Sequence, residues 1–527
     1  MSARTILTGN TLDTDRVLEG DVAIIGSGAG GAISADVLAR AGLRVVVVEE
    51  GAYRTPADFV PREIPAFAEL YVEGGVRLTR DGSIGVVQGR TVGGSTAVNW
   101  TSSFRTPEPT LRYWREVLGI TGLSAAELAP WFELIEKRLH IAPWETPNPN
   151  NQLLARGAAK LGWHHGPIRR NVSGCANLGY CGLGCPTGAK QSMDVTAIPD
   201  ALDHGAVLVT RVRADRLRLR ADRVTAVECL ALDERGVKPT GRRVTLRAPW
   251  VIAAGAAINT PGLLLRSDVP DPHRLVGKRT FLQTHNYSLA FMPEIVDPFF
   301  GAQQSVYVDE FTWRDGVDGR AGFNMEAAGA QPVVSMHAWN GIGTELADFA
   351  RRLPHLHTLV SQIRDGFAPD SRGGEVRLRG DGSPVLDYPI TDFVWDGVRR
   401  SYLAMAECQF AAGAESVHPA CSDARAYRSW AEARREIGTL RLRPLNVYLN
   451  STHPLGGCPM GPDPRTAVVG IDCRHHHLAN LAVIDGSIVP TSLGVNPSLT
   501  IYALAARAAT GLAERIGGAG AAGASPG

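Results

Sequence analysis

Cysteine is scarce in this chain, at 8 of 527 residues. That is too few for a disulfide scaffold, so a reducing compartment is expected, and with it a cytoplasmic location. Net charge is nearly absent, with 54 basic residues against 53 acidic ones. Such a balance offers no field for nucleic acid or anionic lipid. Long apolar runs are missing too. The longest, 251–265, is broken by Asn259, Thr260 and Pro261, and nothing predicts a transmembrane segment. Residues 1–20 carry Arg4, Asp13, Asp15, Arg16 and Glu19 and no apolar core, so no secretory leader is expected. No repeat of solenoid period occurs. What remains is length enough for two or three domains around a large core.

The most informative stretch is 21–51, DVAIIGSGAGGAISADVLARAGLRVVVVEEG. Residues 22–25 form an apolar run of the kind found in buried parallel strands. The run enters a G-x-G-x-x-G turn with glycines at 26, 28 and 31. The first glycine allows the tight turn, the second admits a pyrophosphate, and the third lets helix and strand pack closely. A helix is predicted over 33–41, with its N-terminal N–H groups facing the phosphates. A second buried strand, 45–48, ends at Glu49, which is placed to bind a ribose hydroxyl. Strand, turn, helix, strand and acid in this register predict a dinucleotide site.

Further along, Gly93 and Gly94 precede small residues up to Asn99. This turn suits either close approach of a flat or anionic ligand or an ordinary reversal of the chain. Short alternating strands are predicted at 216–219, 224–230 and 243–247. Residues 251–256 read as a buried strand and glycine turn, leading to a helix with Pro261 in its first turn. From 286 to 445 the dinucleotide pattern is gone. Strands are expected at 306–311, 322–326 and 333–336, and a helix at 395–411. After 446 glycine returns. A strand at 481–484 ends in Asp485-Gly486, and a helix is predicted over 497–509. The expected organisation is a discontinuous first domain, 18–285 with 446–516 and with loop and lid insertions at 101–194, around a second domain at 286–445. A disordered tail follows at 517–527.

Two polar residues stand in rigid turns. His453 precedes a proline and a double glycine, and Asn496 precedes Pro497 at a helix start. Taken singly, they are better explained as a structural histidine and a simple helix cap, but both lie in rigid turns beside glycine-rich backbone, which suits side chains aimed at a flat cofactor. The run His475-His476-His477 reads as a solvated turn, since adjacent residues of an extended chain do not converge on one ion. Cys175, Cys181 and Cys185 are spaced C-x5-C-x3-C among glycines. Three thiolates are one short of a closed zinc site. An iron–sulphur cluster and a compact loop of unligated thiols both fit the spacing.

Taken together, GSGAGG with Glu49, GRTVGGSTAVNW, GCPTGAKQSM, VIAAGAAINTPGLLLRS, THPLGGCPMG and VIDGSIVPTSLGVNPSLTI resemble the glucose–methanol–choline (GMC) oxidoreductase family, in particular its cholesterol oxidase and long-chain alcohol oxidase branch. The resemblance spans residues 21–501. It implies an α/β fold: a Rossmann-like FAD-binding domain plus an α+β substrate domain on an antiparallel sheet with helices. It implies FAD, with Gly26, Gly28, Ala29 and Gly31 at the pyrophosphate and Glu49 on the adenosine ribose. Gly93, Gly94, Val98 and Asn99 would lie near the isoalloxazine. Asp485 and Gly486 would meet the ribityl–pyrophosphate, and Asn496, Pro497 and Thr500 the pyrimidine end. Members that attach FAD covalently use a histidine in the 93–99 turn. None stands here, so non-covalent FAD is expected. The implied active-site pair is His453 and Asn496, with Glu326 as a candidate third group. The implied reaction takes an alcohol to an aldehyde or ketone by hydride transfer to flavin N5, passing electrons to oxygen or another acceptor. Two alternatives stay open: a dehydrogenase with a three-iron cluster on Cys175, Cys181 and Cys185, and a redox-silent flavin lyase.

Overall fold

The computed structural model describes residues 4–336 and 338–517. From 518 onward the expected tail lies outside the described residues. Six strands make an all-parallel sheet in the order Thr5–Thr8, Val207–Thr210, Val45–Val48, Val22–Ile25, Trp250–Ala253, Leu481–Val483. Every residue of Val22–Ile25 and Val45–Val48 is buried, because helices cover both faces of a parallel sheet. Helix Ala29–Arg40 packs against the C-terminal helix Ser498–Ile516. The chain thus returns over more than 400 positions to add the strand Leu481–Val483 and its last helix to the sheet in which it began.

Backbone contact explains the glycines. A Cβ on Gly31 would lie 2.0 Å from the Gly26 carbonyl oxygen, and one on Gly30 would lie 1.8 Å from that of Ile484. Gly30, not part of the fingerprint, is therefore as constrained as Gly31. Gly30→Ala must push the Leu481–Val483 strand away from helix Ala29–Arg40. The expected cost is about 3 kcal/mol, at the upper end for overpacking. A thermal midpoint equal to the parent's would contradict this.

Strands Val212–Arg220, Arg223–Leu232 and Pro239–Arg247 form the expected meander, joined by Arg16–Glu19. A third, eight-stranded sheet backs the site. Its centre is His285–Phe291, Leu356–Ile363 and Phe323–Ala327, all antiparallel. Its margins come from Gly85–Val86, His165–Pro167, Val306–Val308, Ser416–Pro419 and Leu449–Ser451. One face packs on helix Asp392–Ala411, where Ser401 Oγ donates to Asn286 Oδ1 (3.0 Å) and Ser288 Oγ to Gln409 Oε1 (2.7 Å).

One strand expectation fails. Residues 333–336 lie in the short helix Pro332–Met336. The β-branched pair Val333-Val334 favours a strand locally. However, the Glu63 carboxylate, remote in sequence, accepts both of their N–H groups at 2.8 Å and caps a helical turn instead.

Candidate active site

The first helix opens at Gly28, and its first internal hydrogen bond runs from Ala32 N to Gly28 O. The N–H groups of Ala29, Gly30 and Gly31 therefore have no acceptor within the helix. A Cβ on Gly28 would meet nothing closer than 3.9 Å. Of the three fingerprint glycines, only this one faces open space, where a phosphate needs it. Gly94, at φ +54, sets its missing Cβ 2.9 Å from Gly28 Cα, so the two glycine turns touch. Ser27 Oγ joins them by accepting from Gly93 N at 3.1 Å.

Glu49 is buried, and burial raises its pKa. Its carboxylate accepts from Ser27 N (3.0 Å), Ser27 Oγ (2.8 Å) and Gly51 N (2.9 Å). A carboxylate has about four acceptor sites, so one remains for a ribose hydroxyl. Asp485 differs. It accepts from Ser487 N, Ser487 Oγ, Ala256 N and Thr260 Oγ1, which fills its acceptor capacity. Its carboxylate fixes the turn that presents the Gly486 backbone. It also holds Ala256 at φ +74, a conformation costing a non-glycine residue roughly 1–2 kcal/mol.

His453 lies just after strand Leu449–Ser451 and is buried. Its N–H donates to Ser451 Oγ (3.2 Å). The following Pro454 and Leu455 pack on Gly486, which brings the histidine beside the Asp485-Gly486 turn. Asn496 precedes Pro497, the N-cap of helix Ser498–Ile516, and proline restricts the residue before it to extended backbone. Asn496 Nδ2 donates to Glu326 Oε2 at 3.5 Å, with both residues buried. The structure thus brings together Glu326 and Asn496, 170 positions apart. Burial pushes the Glu326 carboxyl up to about 8, and the amides of Asn496 and Gln362 only partly offset it. Burial, then the neighbouring His285, holds His453 well below the usual imidazole range, so it is neutral at working pH.

The Pro497-capped helix touches residues 102 and 106, just after the 93–99 turn, through two side chains. Thr500 Oγ1 lies 2.8 Å from Thr106 Oγ1, and Ser498 Oγ donates to Ser102 O at 3.2 Å. The Thr500 side chain is turned to this contact, leaving its N–H in the open first turn. Val98 is buried, and Asn99 Oδ1 accepts from Thr101 N at 3.2 Å.

Three groups were not legible beforehand. The pairing His285↔Gln362↔Asn324 sets these side chains in one row across three strands, with Glu326 on the same face. Gln283 Nε2 donates to Gln362 Oε1 at 3.0 Å. In and beside this row, Gln283 Oε1, Asn324 Oδ1 and Asn496 Oδ1 have no hydrogen-bond partner among the described residues. An orphaned buried polar group costs about 1–3 kcal/mol, so the cluster marks a place built to receive something polar. Secondly, His285 Nε2 lies 3.3 Å from His453 Nδ1. Thirdly, Lys190 is buried and donates to the carbonyls of Ala97 (2.7 Å), Asn99 (3.0 Å) and Cys181 (2.8 Å).

This geometry agrees with the comparisons to known proteins. GMC oxidoreductase family models match residues 67–285 and 369–505, and an FAD binding domain model matches 19–58. The chain belongs to the GMC oxidoreductase family. A GMC-type oxidoreductase of Mycobacterium tuberculosis is 33% identical over 500 residues, covering 94% of this chain and 76% of that one. A long-chain-alcohol oxidase of Arabidopsis thaliana is 29% identical over 522 residues, covering 94% and 68%. Among solved structures, pyridoxine 4-oxidase from Mesorbium loti superposes with a TM-score of 0.67 at 18% identity, over 93% of this chain and 98% of that one. A formate oxidase of Aspergillus oryzae gives 0.70 at 16%, over 94% and 98%. The cradle described above fits FAD, and this GMC oxidoreductase is an FAD-dependent enzyme acting on CH–OH groups.

In the oxidoreductase, the cysteine loop packs between helix Glu63–Leu70 and the substrate sheet. Gly184 lies against the Phe59 ring, Tyr71 Oη donates to Gly182 O, and Gln303 and Gln331 donate to Gly179 O. Cys181 Sγ accepts from Arg170 (3.6 Å), and Cys185 Sγ lies 3.4 Å from Thr187 Oγ1. Among the described residues, no three His, Cys, Asp or Glu side chains group as a metal-ligand set. No helix there is long and apolar enough to cross a membrane.

The reading of 475–477 as a solvated turn needs correction. His475 is buried, with its pKa pushed down to about 4 by burial. Its N–H bonds to Leu481 O at 2.9 Å, which folds the turn under the last parallel strand. His476 and His477 stay partly exposed.

Proposed function

We propose that this enzyme oxidises the carbinol carbon of a hydrophobic alcohol (sterol, terpenoid or long-chain) to an aldehyde or ketone, using non-covalent FAD and oxygen. The supporting observation is a pair of buried contacts, His453 against His285 and Asn496 donating to Glu326, with His285 and Glu326 on one face of the same sheet. The long-chain-alcohol oxidase relative supports the substrate class and the acceptor. Gly26, Gly28, Ala29 and Gly31 would hold the pyrophosphate and Glu49 the ribose. Gly93, Gly94, Val98 and Asn99 would line the ring, and Gly486, Pro497 and Thr500 the rest. FAD, when bound, supplies the hydride acceptor.

His453 Nε2 takes the hydroxyl proton as general base. The Asn496 amide donates to the oxygen as it gains negative charge. Glu326, held neutral by burial, adds no like charge beside that oxygen. Cys175, Cys181 and Cys185 pack the loop and bind no iron on this reading. Stoichiometric iron and acid-labile sulphide in anaerobically prepared protein would overturn it.

The deciding experiment is anaerobic: sterols, terpenols, long-chain alcohols and sugars are screened for bleaching of the flavin. Bleaching by a hydrophobic alcohol supports the reading. A flavin that no alcohol reduces, while a cyanohydrin is cleaved, points to a lyase. Acid or heat should release free FAD into the supernatant, since no histidine lies between Gly93 and Asn99. Flavin left on the denatured chain contradicts non-covalent binding.

Glu326 also makes a pH prediction. Its folded pKa, about 8, exceeds the reference 4.5. The resulting stability is fully present below the unfolded pKa and is lost as pH rises through the folded one. Glu326→Gln removes that slope, so the parent's stability relative to the variant should fall between about pH 5 and about pH 9. Urea midpoints at the two ends check it, and a pH-independent difference contradicts it.

A further inference from the structure

We propose that His285 is a positioning residue that sets the tautomer of His453, keeping its proton on Nδ1 and leaving Nε2 bare toward the substrate hydroxyl. The proposal rests on His453 being the base.

The two rings meet edge to face, with centroids 4.8 Å apart and planes at 76°. His285 Nε2 and His453 Nδ1 are 3.3 Å apart, and both residues are buried. Two neutral imidazoles in this arrangement share one proton along the N–N line. Either ring can donate it, and the choice decides the chemistry. If His285 donated, His453 would carry its proton on Nε2 and could not accept one there. If His453 donates, Nε2 keeps its lone pair.

The surroundings of His285 select the second arrangement. Asn450 is paired directly opposite His285 across adjacent strands. The Tyr287 hydroxyl donates to Asn450 Oδ1 at 2.9 Å, which fixes the amide with its oxygen toward strand His285–Phe291. Burial holds the His285 ring neutral with a pKa of about 3, and the Asn450 side chain beside it only partly offsets this. A neutral His285 with its proton on Nδ1, toward Asn450, has only a lone pair on Nε2. His453 Nδ1 must then be the donor. When His453 Nε2 accepts the hydroxyl proton, the resulting imidazolium keeps the same hydrogen bond to His285 Nε2. An orienting partner behind a catalytic imidazole commonly has this role.

The test uses FAD-loaded protein labelled with ¹⁵N-histidine, read by two-bond ¹H–¹⁵N correlation at neutral pH. The resonance missing from His453→Ala identifies His453. The expected parent state is the Nδ1–H tautomer. His285→Leu should shift it toward Nε2–H, and His285→Gln, whose Oε1 can accept, should restore it. With an alcohol found in the bleaching screen, His285→Leu should slow flavin reduction about 10- to 100-fold and add no further loss in a His453→Ala background. An Nε2–H tautomer in the parent, an unchanged tautomer in His285→Leu, or an equal loss in both backgrounds overturns the proposal alone. A His453→Ala enzyme reduced at the parent rate removes the base itself, and the proposal with it.

Discussion

His453→Ala should keep FAD and its visible spectrum yet lose on the order of 10²–10⁴ in the rate of flavin reduction by alcohol, the usual contribution of a positioned general base. The expectation rests on placement. The His453 backbone is tied to Ser451, and its following residues pack on the Gly486 turn. Burial keeps its ring unprotonated at working pH, so the base is available without a prior deprotonation. Truncation leaves space beside the Asp485-Gly486 turn but strips no ligand from the glycine cradle, which is built from other segments. Cofactor content should therefore stay near the parent's. His476→Ala serves as the control, because that ring is partly exposed and its Nε2 lies 3.1 Å from Gly461 O. It should leave the rate within about twofold, as surface substitutions do. Stopped-flow reduction under anaerobic conditions decides the matter: equal rates in His453→Ala and the parent would remove His453 from the chemistry.

The second large effect is expected at Lys190, whose ammonium is held by carbonyl groups. Its ammonium has three donors, and the structure gives each a carbonyl: Ala97, Asn99 and Cys181. These carbonyls belong to the ring-side turn and to the cysteine loop, so one side chain joins the two. Burial lowers its pKa, while Cys181, Asp194 and Cys185 act in the other direction. Lys190→Met preserves the volume but leaves three buried carbonyls without a donor, at about 1–3 kcal/mol each. Discounting for the ammonium's own desolvation, a net loss of about 3 kcal/mol or more is expected. It should be concentrated in the 97–99 turn, with weaker FAD retention as its first sign. Fluorescence of released FAD during dilution, together with the thermal midpoint, measures both parts. Parent-like values for both would show that the turn stands without this lysine.

The legible parts of this enzyme share a property: their geometry is local. Gly26, Gly28, Gly31 and Glu49 lie within one strand–helix–strand unit, where backbone sterics and hydrophobic periodicity impose the register. Asn496 was visible for the same reason, since the proline after it and the helix start are neighbours in sequence. The failures are long-range. Residues 333–336 became helical because Glu63, remote in sequence, supplies their cap. His475 was buried by the strand it folds under.

Local pattern alone therefore determined the parallel nucleotide-binding unit, while the cofactor class and the identity of the proposed base were implied by the resemblance of the motifs to a known family. Tertiary structure alone decided how that base is arranged. His285 reaches His453 from 168 positions away, and Glu326 reaches Asn496 from 170. Both His285 and Glu326 sit on one sheet face because the strand register matches Asn324 to Gln362 and Gln362 to His285. A shift of one residue would turn these side chains into the opposite face, against helix Asp392–Ala411. No local signal encodes that register; it follows from burying the apolar side chains of a whole sheet at once. The same collapse withdraws His285, His453 and Glu326 from water and so sets which of them are neutral.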